Sequence, residues 1–128
     1  MRLLLDTHAL IWWLRGDARL GAAAEAAIAD PGVTVLVSAV SAFEVTAKHR
    51  LGKLPEAEIL ARDFDGERRQ EGFEALAITI EHAALAGRLQ GTHRDPFDRL
   101  LIAQALVEGL VLVSNEALFD GFGVQRLW

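Results

Sequence analysis

The sequence predicts an α/β fold built on a mostly parallel sheet with helices on both faces, and three observations carry that expectation. Short apolar runs alternate with helix-like segments from one end of the chain to the other, the pattern of repeated βαβ units. The runs are continuously apolar, as strands buried on both faces must be. Acidic or hydroxyl residues come soon after several of the runs, at the strand ends where open α/β sheets place their ligands. A chain of 128 residues is expected to form one domain, 1–128, long enough to bury a real core.

Arg2 to Leu5 reads as the first strand and ends at Asp6. A helix through Leu10, Ile11 and Leu14 follows, and capping it is the alternative reading of Asp6. Trp12 and Trp13 fall on different helix faces, and at least one is expected at an interface. Gly16-Asp17 breaks this helix, Ala22 to Ala29 forms the next on alanine content, and Asp30-Pro31-Gly32 ends it. Val33 to Val37 is a β-branched second strand ending at Ser38.

A helix from about Ala39 to Leu51 carries Glu44, with Gly52 placed to cap its end. Ser41 to Glu44 also matches a capping box, and Glu44 lies four residues before Lys48, so a cap or an intrahelical ion pair stands beside any functional role. Val40, Phe43 and Ala47 argue that the helix starts before Ser41. Lys48, His49, Arg50 and Lys53 form a dense basic cluster that reads as a solvated face. From Leu54-Pro55 to Glu71 the chain reads as one charged helix with an apolar stripe through Leu60 and Phe64. Phe73 to Ile78 is the third strand, and Thr79 caps a helix from Ile80 to Leu89. Leu110 to Val113 is the fourth strand, followed by Ser114-Asn115-Glu116, and Val124 to Trp128 forms an edge strand.

The stretch His93 to Ala105 organises the rest. Asp95-Pro96 is a strong helix start, which makes capping a sufficient reading of Asp95. Asp98 sits one turn inside, beside Phe97, Leu101 and Ile102, where an unpaired carboxylate is costly. A helix-dipole role or a pair with Arg94 or Arg99 would satisfy it, and so would a divalent cation shared with other acids.

Composition narrows the chemistry. No cysteine is present, which excludes disulfides, thiol catalysis and cysteine-ligated zinc. No apolar run approaches the roughly 20 residues of a membrane span and no secretory signal is apparent, so a cytoplasmic protein is expected. The 52% hydrophobic content and mean hydropathy of +0.23 are high, and some apolar surface is expected to face a partner. A net charge of −5 opposes a polyanionic ligand, although two bound divalent cations would cancel most of it.

In a parallel sheet the ends of the first, second and fourth strands can share one rim, which brings Asp6, Glu44 and Glu116 together. Asp98 joins from a helix N-terminus. Such carboxylates, without lysine partners, raise one another's pKa unless cations bind. Oxygen-only donors suit Mg²⁺ or Mn²⁺. The chemistry that most needs such a site is phosphodiester hydrolysis.

The motifs Leu3-Leu4-Leu5-Asp6-Thr7-His8, Ser38 to Val45, Asp95-Pro96-Phe97-Asp98-Arg99 with Ile102 to Ala105, and Leu112 to Glu116 resemble, in this order, those of PIN-domain ribonucleases. More closely, they resemble the VapC-type toxins of bacterial toxin–antitoxin pairs, and the tail Phe119 to Trp128 extends the likeness along the chain. The resemblance implies a three-layer α/β/α fold with a five-stranded sheet in the order 3-2-1-4-5. It also implies a Mg²⁺- or Mn²⁺-dependent endoribonuclease, a homodimer, and a cognate antitoxin that blocks the acidic pocket. By position, Asp6, Glu44 and Asp98 match the family's acids, Asp95 is an additional acid, and Ser114 matches a supporting hydroxyl.

The expected division of labour has Asp6, Asp98 and Glu44 on the first ion, Glu116 and Asp95 assisting a second ion or orienting water, and Arg99 pairing with an acid or touching phosphate. Where Glu116 stands the family usually has aspartate, and the extra methylene moves the carboxylate by roughly 1.5 Å. The competing reading is a non-catalytic PIN-fold module that binds RNA or protein, with a degraded fourth acid. A phosphatase using Asp6 as nucleophile would need an aspartate two positions on, where His8 stands, and an acidic receiver domain would need a lysine after the last strands, where none follows.

Overall fold

The computed structural model describes residues 1–128. Its strands β1 (Arg2–Leu5), β2 (Thr34–Ser38), β3 (Glu74–Leu76), β4 (Val111–Val113) and β5 (Arg126–Leu127) form one sheet in the order β3-β2-β1-β4-β5. Every pairing is parallel. Chain order and spatial order thus diverge at β1, which lies between β2 and β4. The expected fold class and strand order are those found.

The strand pleat explains how the core divides. Leu3, Leu4 and Leu5 are all fully buried, so β1 is covered on both faces. Leu3 and Leu5 point with Val35, Val37 and Val113 into one apolar layer, and Leu4 points with Leu36 and Leu112 into the other. The first layer is closed by α1 (Thr7–Arg15), α2 (Ala22–Ala29) and α4 (Glu58–Arg62) through Leu10, Ile11, Ala24, Ile28 and Leu60. The second is closed by α7 (Pro96–Glu108) through Leu101, Ile102 and Ala105, with Phe119 from a 3-10 turn at Ala117–Phe122. The helix α3 (Ala39–Arg50) sends Val45 to the first layer and Val40 to the second.

A buried polar chain fixes α7 to the sheet and to α6 (Ile80–Arg88). The Ser38 hydroxyl donates to Gln104 Oε1 at 2.6 Å, and Gln104 Nε2 donates to the Ala77 carbonyl at 3.3 Å. His82 accepts from the Thr79 backbone N–H through Nδ1, while its Nε2 lies 3.1 Å from Glu108. Such groups tolerate burial only because each has its partner, so the chain sets the position at which α7 delivers its first turn.

The segment 54–71 departs from the single helix expected. A 3-10 turn at Pro55–Ala57 leads into α4, the chain breaks at Asp63, and α5 (Phe64–Glu71) begins afresh. Asp63 leaves helical geometry and its carboxylate accepts from the Gly66 N–H at 3.1 Å. That capping bond satisfies a new helix start at the expense of continuity. The third strand is also shorter than Phe73 to Ile78, pairing only through Glu74–Leu76. Of the two tryptophans, Trp12 is buried against Trp128, edge-on at 5.7 Å, and Trp13 donates its indole N–H to Glu71 at 3.0 Å. Trp128 approaches Gly21 so closely that a Cβ there would lie 2.5 Å from its carbonyl carbon.

Candidate active site

Parallel pairing of β2, β1 and β4 places their carboxyl ends side by side, and the residues that follow line a cavity of about 220 Å³. Asp6 follows β1 directly, Glu44 comes from the second turn of α3, Asn115 and Glu116 follow β4, and Asp95 and Asp98 enter from the start of α7. Lys48 is the cavity's lysine. All five acids singled out in the sequence therefore face one space.

Each is held by local structure. Asp6 caps α1, accepting from the Ala9 N–H at 2.8 Å, and its own N–H donates to the Val113 carbonyl at 3.0 Å, which ties it to the end of β4. Glu44 is buried; Oε1 accepts from the Thr7 hydroxyl at 2.6 Å and Oε2 from Lys48 Nζ at 2.5 Å. Asp95 caps α7, its Oδ1 accepting from the N–H groups of Phe97 at 2.9 Å and Asp98 at 3.2 Å. Asp98 Oδ2 lies 2.8 Å from His93 Nε2. Glu116 caps the 3-10 turn through Oε1, and its N–H donates to the fully buried Ser114 hydroxyl at 3.1 Å. Capping and facing the cavity are thus compatible roles for Asp6, Asp95 and Glu116, since a cap engages one oxygen of two.

The charges interact. Burial lifts the Asp6 carboxyl from 3.8 to about 6, against the opposing hydrogen bonds of Ser114 and Ala9, and Asp98 adds to the rise. Asp98 is likewise raised, first by burial, with His93 opposing and Asp95 and Glu44 contributing. Burial disfavours the Lys48 ammonium, but the hydrogen bond and charge of Glu44, with Asp95 and Asp98, outweigh it and hold its pKa high. One cation already stands among these acids.

The sequence offers Lys48 only as an ion-pair partner of Glu44, as an alternative to function, and gives His93 no place here. The acids were expected to lack a lysine partner, yet the spacing of four between Glu44 and Lys48 turns both to the same side of α3. His93 reaches Asp98 because its loop folds back over the start of α7, a path without periodicity to read. Arg99 does not meet an acid or line the cavity. It donates to the carbonyls of Ala86 at 3.0 Å, His93 at 2.9 Å and Leu89, clamping the loop that carries His93.

The five acids supply oxygen donors and a strongly anionic lining, with His8 also on the cavity wall, and this fits a hard divalent cation, which would relieve the penalty on Asp6 and Asp98. No three of the carboxylate or imidazole groups stand close enough to enclose a single ion. In this arrangement Lys48 engages Glu44 and His93 engages Asp98.

Residues 3–123 match the family model described as PIN domain. No curated protein matches the chain in sequence. Among solved structures, the chain is similar to VapBC2 from Rickettsia felis, bound to a DNA fragment from their promoter, with a TM-score of 0.71, 17% identity and coverage of 100% of this chain and 99% of that one. It is similar to VapC20 from Mycobacterium tuberculosis, a Sarcin-Ricin loop cleaving toxin, with a TM-score of 0.67, 19% identity and coverage of 95% of both chains. VapBC-1 from nontypeable Haemophilus influenzae follows with a TM-score of 0.66, 17% identity and coverage of 99% and 97%.

Proposed function

This chain belongs to the PIN-domain family, and from that premise we propose that it is a metal-dependent endoribonuclease acting as the toxin of a toxin–antitoxin pair, of the VapC type. The carrying observation is the cavity at the carboxyl ends of three adjacent parallel strands, lined by Asp6, Glu44, Asp95, Asp98 and Glu116. Residues 1–128 are read as one PIN domain. The likeness to VapBC structures supports a protein antitoxin as partner; in this reading the antitoxin covers the acidic cavity and the toxin is a cytoplasmic homodimer. No helix is long and apolar enough to cross a membrane.

Asp6, Asp98 and Glu44 would hold a Mg²⁺ or Mn²⁺ ion, and Glu116 and Asp95 would assist a second or orient water. When bound, such cations supply Lewis-acid polarisation of the phosphate and activate the nucleophile at neutral pH. The chain's own residues do the positioning. The Ser114 side chain and Ala9 N–H fix the Asp6 carboxylate, the Thr7 hydroxyl fixes Glu44 Oε1, and His93 holds one oxygen of Asp98. Lys48 neutralises part of the charge, which keeps the acids together before a cation or an anionic substrate arrives.

The test is incubation of the purified protein with a panel of structured RNAs in Mn²⁺, in Mg²⁺ and in chelator. Cutting in metal and not in chelator supports the enzyme. The contacts that Glu44 already makes with Lys48 and Asp98 with His93 favour one second reading, a non-catalytic PIN-fold module that binds RNA or protein. Intact RNA in every condition, from folded protein free of antitoxin, selects it.

A further inference from the structure

The loop 90–94 forms a ridge between two clefts. One, of about 420 Å³, runs between Gln90, Thr92 and Arg94 on the loop and Leu118 and Phe122 on the 3-10 turn. The other, of about 450 Å³, lies between the loop, Gly87 and Arg99. No carboxylate lines either. His93 lines both, and the same imidazole contacts Asp98, which lines the acidic cavity, so one side chain links the clefts to that cavity.

The loop's height is set, not arbitrary. Gly91 has φ +131°, a conformation that favours glycine, and a Cβ there would meet two ring carbons of Phe122 at 3.2 Å. The backbone therefore sits directly on that ring. From below, Arg99 holds the carbonyls of Leu89 and His93.

Arg94 is exposed at the crest and makes no ion pair or side-chain hydrogen bond. Of the arginines beside the loop, Arg99 is committed to three carbonyls, whereas Arg88, exposed next to Gly87, is also unpaired and adds to the positive charge of this surface. In a chain of net charge −5 whose cavity gathers five acids, a polyanion needs an adjacent acid-free, cationic path. Leu118, 70% exposed, and Phe122 give that path an apolar wall suited to a sugar or base.

We propose that the Gly91–Arg94 loop binds the RNA backbone flanking the scissile phosphate, with Arg94 as its phosphate contact. The inference rests on the ribonuclease reading and adds to it the residues that take the strand.

The test uses a fluorescein-labelled single-stranded oligouridylate, bound in Mg²⁺ by protein carrying Asp98→Asn so that it stays intact, across a salt series. Arg94→Ala is expected to weaken binding roughly threefold to tenfold and to make the log–log salt slope shallower by about 0.7, the loss of one single-strand phosphate contact. Arg94→Lys should restore the slope, since a point charge suffices, with thermal melting unchanged in both variants. In cleavage by the otherwise native protein, the loss should fall in KM and not in kcat. An unaltered slope for Arg94→Ala overturns the proposal, as does an equal change from Arg69→Ala on α5, away from the clefts. Protein with the native loop that neither binds nor cuts any RNA overturns the ribonuclease reading instead.

Discussion

Replacing Asp6 with asparagine is expected to stabilise the cation-free fold while abolishing cleavage. Burial lifts the Asp6 carboxyl to about 6, whereas in the unfolded chain it titrates near the ordinary aspartate value of 3.8. The folded chain therefore binds the proton more tightly, and stability falls as pH rises from about 4 through about 6. Two pKa units correspond to about 3 kcal/mol, and the partial exposure of Asp6 brings the realised cost of its ionised form to about 2 kcal/mol. Asparagine removes the charge, can still accept from the Ala9 N–H, and caps a helix as well as aspartate does. For a chain of this length about 2 kcal/mol moves Tm by about 7 °C. Thermal melts in chelator should thus show Asp6→Asn above wild type by about that margin at pH 7.5, with the gap closing near pH 4. Adding Mn²⁺ should raise wild type and narrow the gap, because the carboxylate binds the ion and the amide does not. A variant that melts at or below wild type at pH 7.5 in chelator would refute the claim that the buried charge is what the fold tolerates for the sake of the site.

Lys48→Met leaves the buried Glu44 without its ionic partner, and because Lys48 is itself partly exposed the loss should be about 2 kcal/mol in chelator, part of it recovered in Mn²⁺; melts with and without the ion read both effects. Gln104→Leu strips the Ser38 hydroxyl of its acceptor and the Ala77 carbonyl of a donor, for a cost of about 2 kcal/mol, seen as a lower urea midpoint at unchanged m. Glu116→Asp withdraws the carboxylate by roughly 1.5 Å. Wild type is expected to show one tighter and one weaker phase in a Mn²⁺ titration of cleavage, and this change should shift the weaker phase to lower concentration; two equally tight phases in wild type would contradict it.

Much of the fold is legible because the strands are so plainly apolar. Leu3-Leu4-Leu5 reads as a strand buried on both faces and lies at the sheet centre with no exposure. Ala22–Ala29 is found with the bounds that its composition and the following Asp30-Pro31-Gly32 predict. Where local capping competes with periodicity, the reading fails. The apolar stripe through Leu60 and Phe64 is real, but Asp63 uses its carboxylate to start a new helix and breaks the segment in two. At the site, the gathering of the five acids was legible from strand ends and the start of α7. Their partners were less so: the Lys48 contact is a spacing of four that sequence offers as an alternative to function, and the structure has Glu44 both paired and facing the cavity. His93 and Arg99 depend on the path of an irregular loop, which no repeat encodes.

The most direct measurement is cleavage of the structured RNA panel in Mn²⁺ by wild type and by Asp98→Asn, with both proteins shown to be folded by their melts. Wild type is expected to cut, chelator to stop it, and the asparagine variant to leave the RNA intact. Cutting by Asp98→Asn at the wild-type rate would contradict the assignment of the acidic cavity as the catalytic centre.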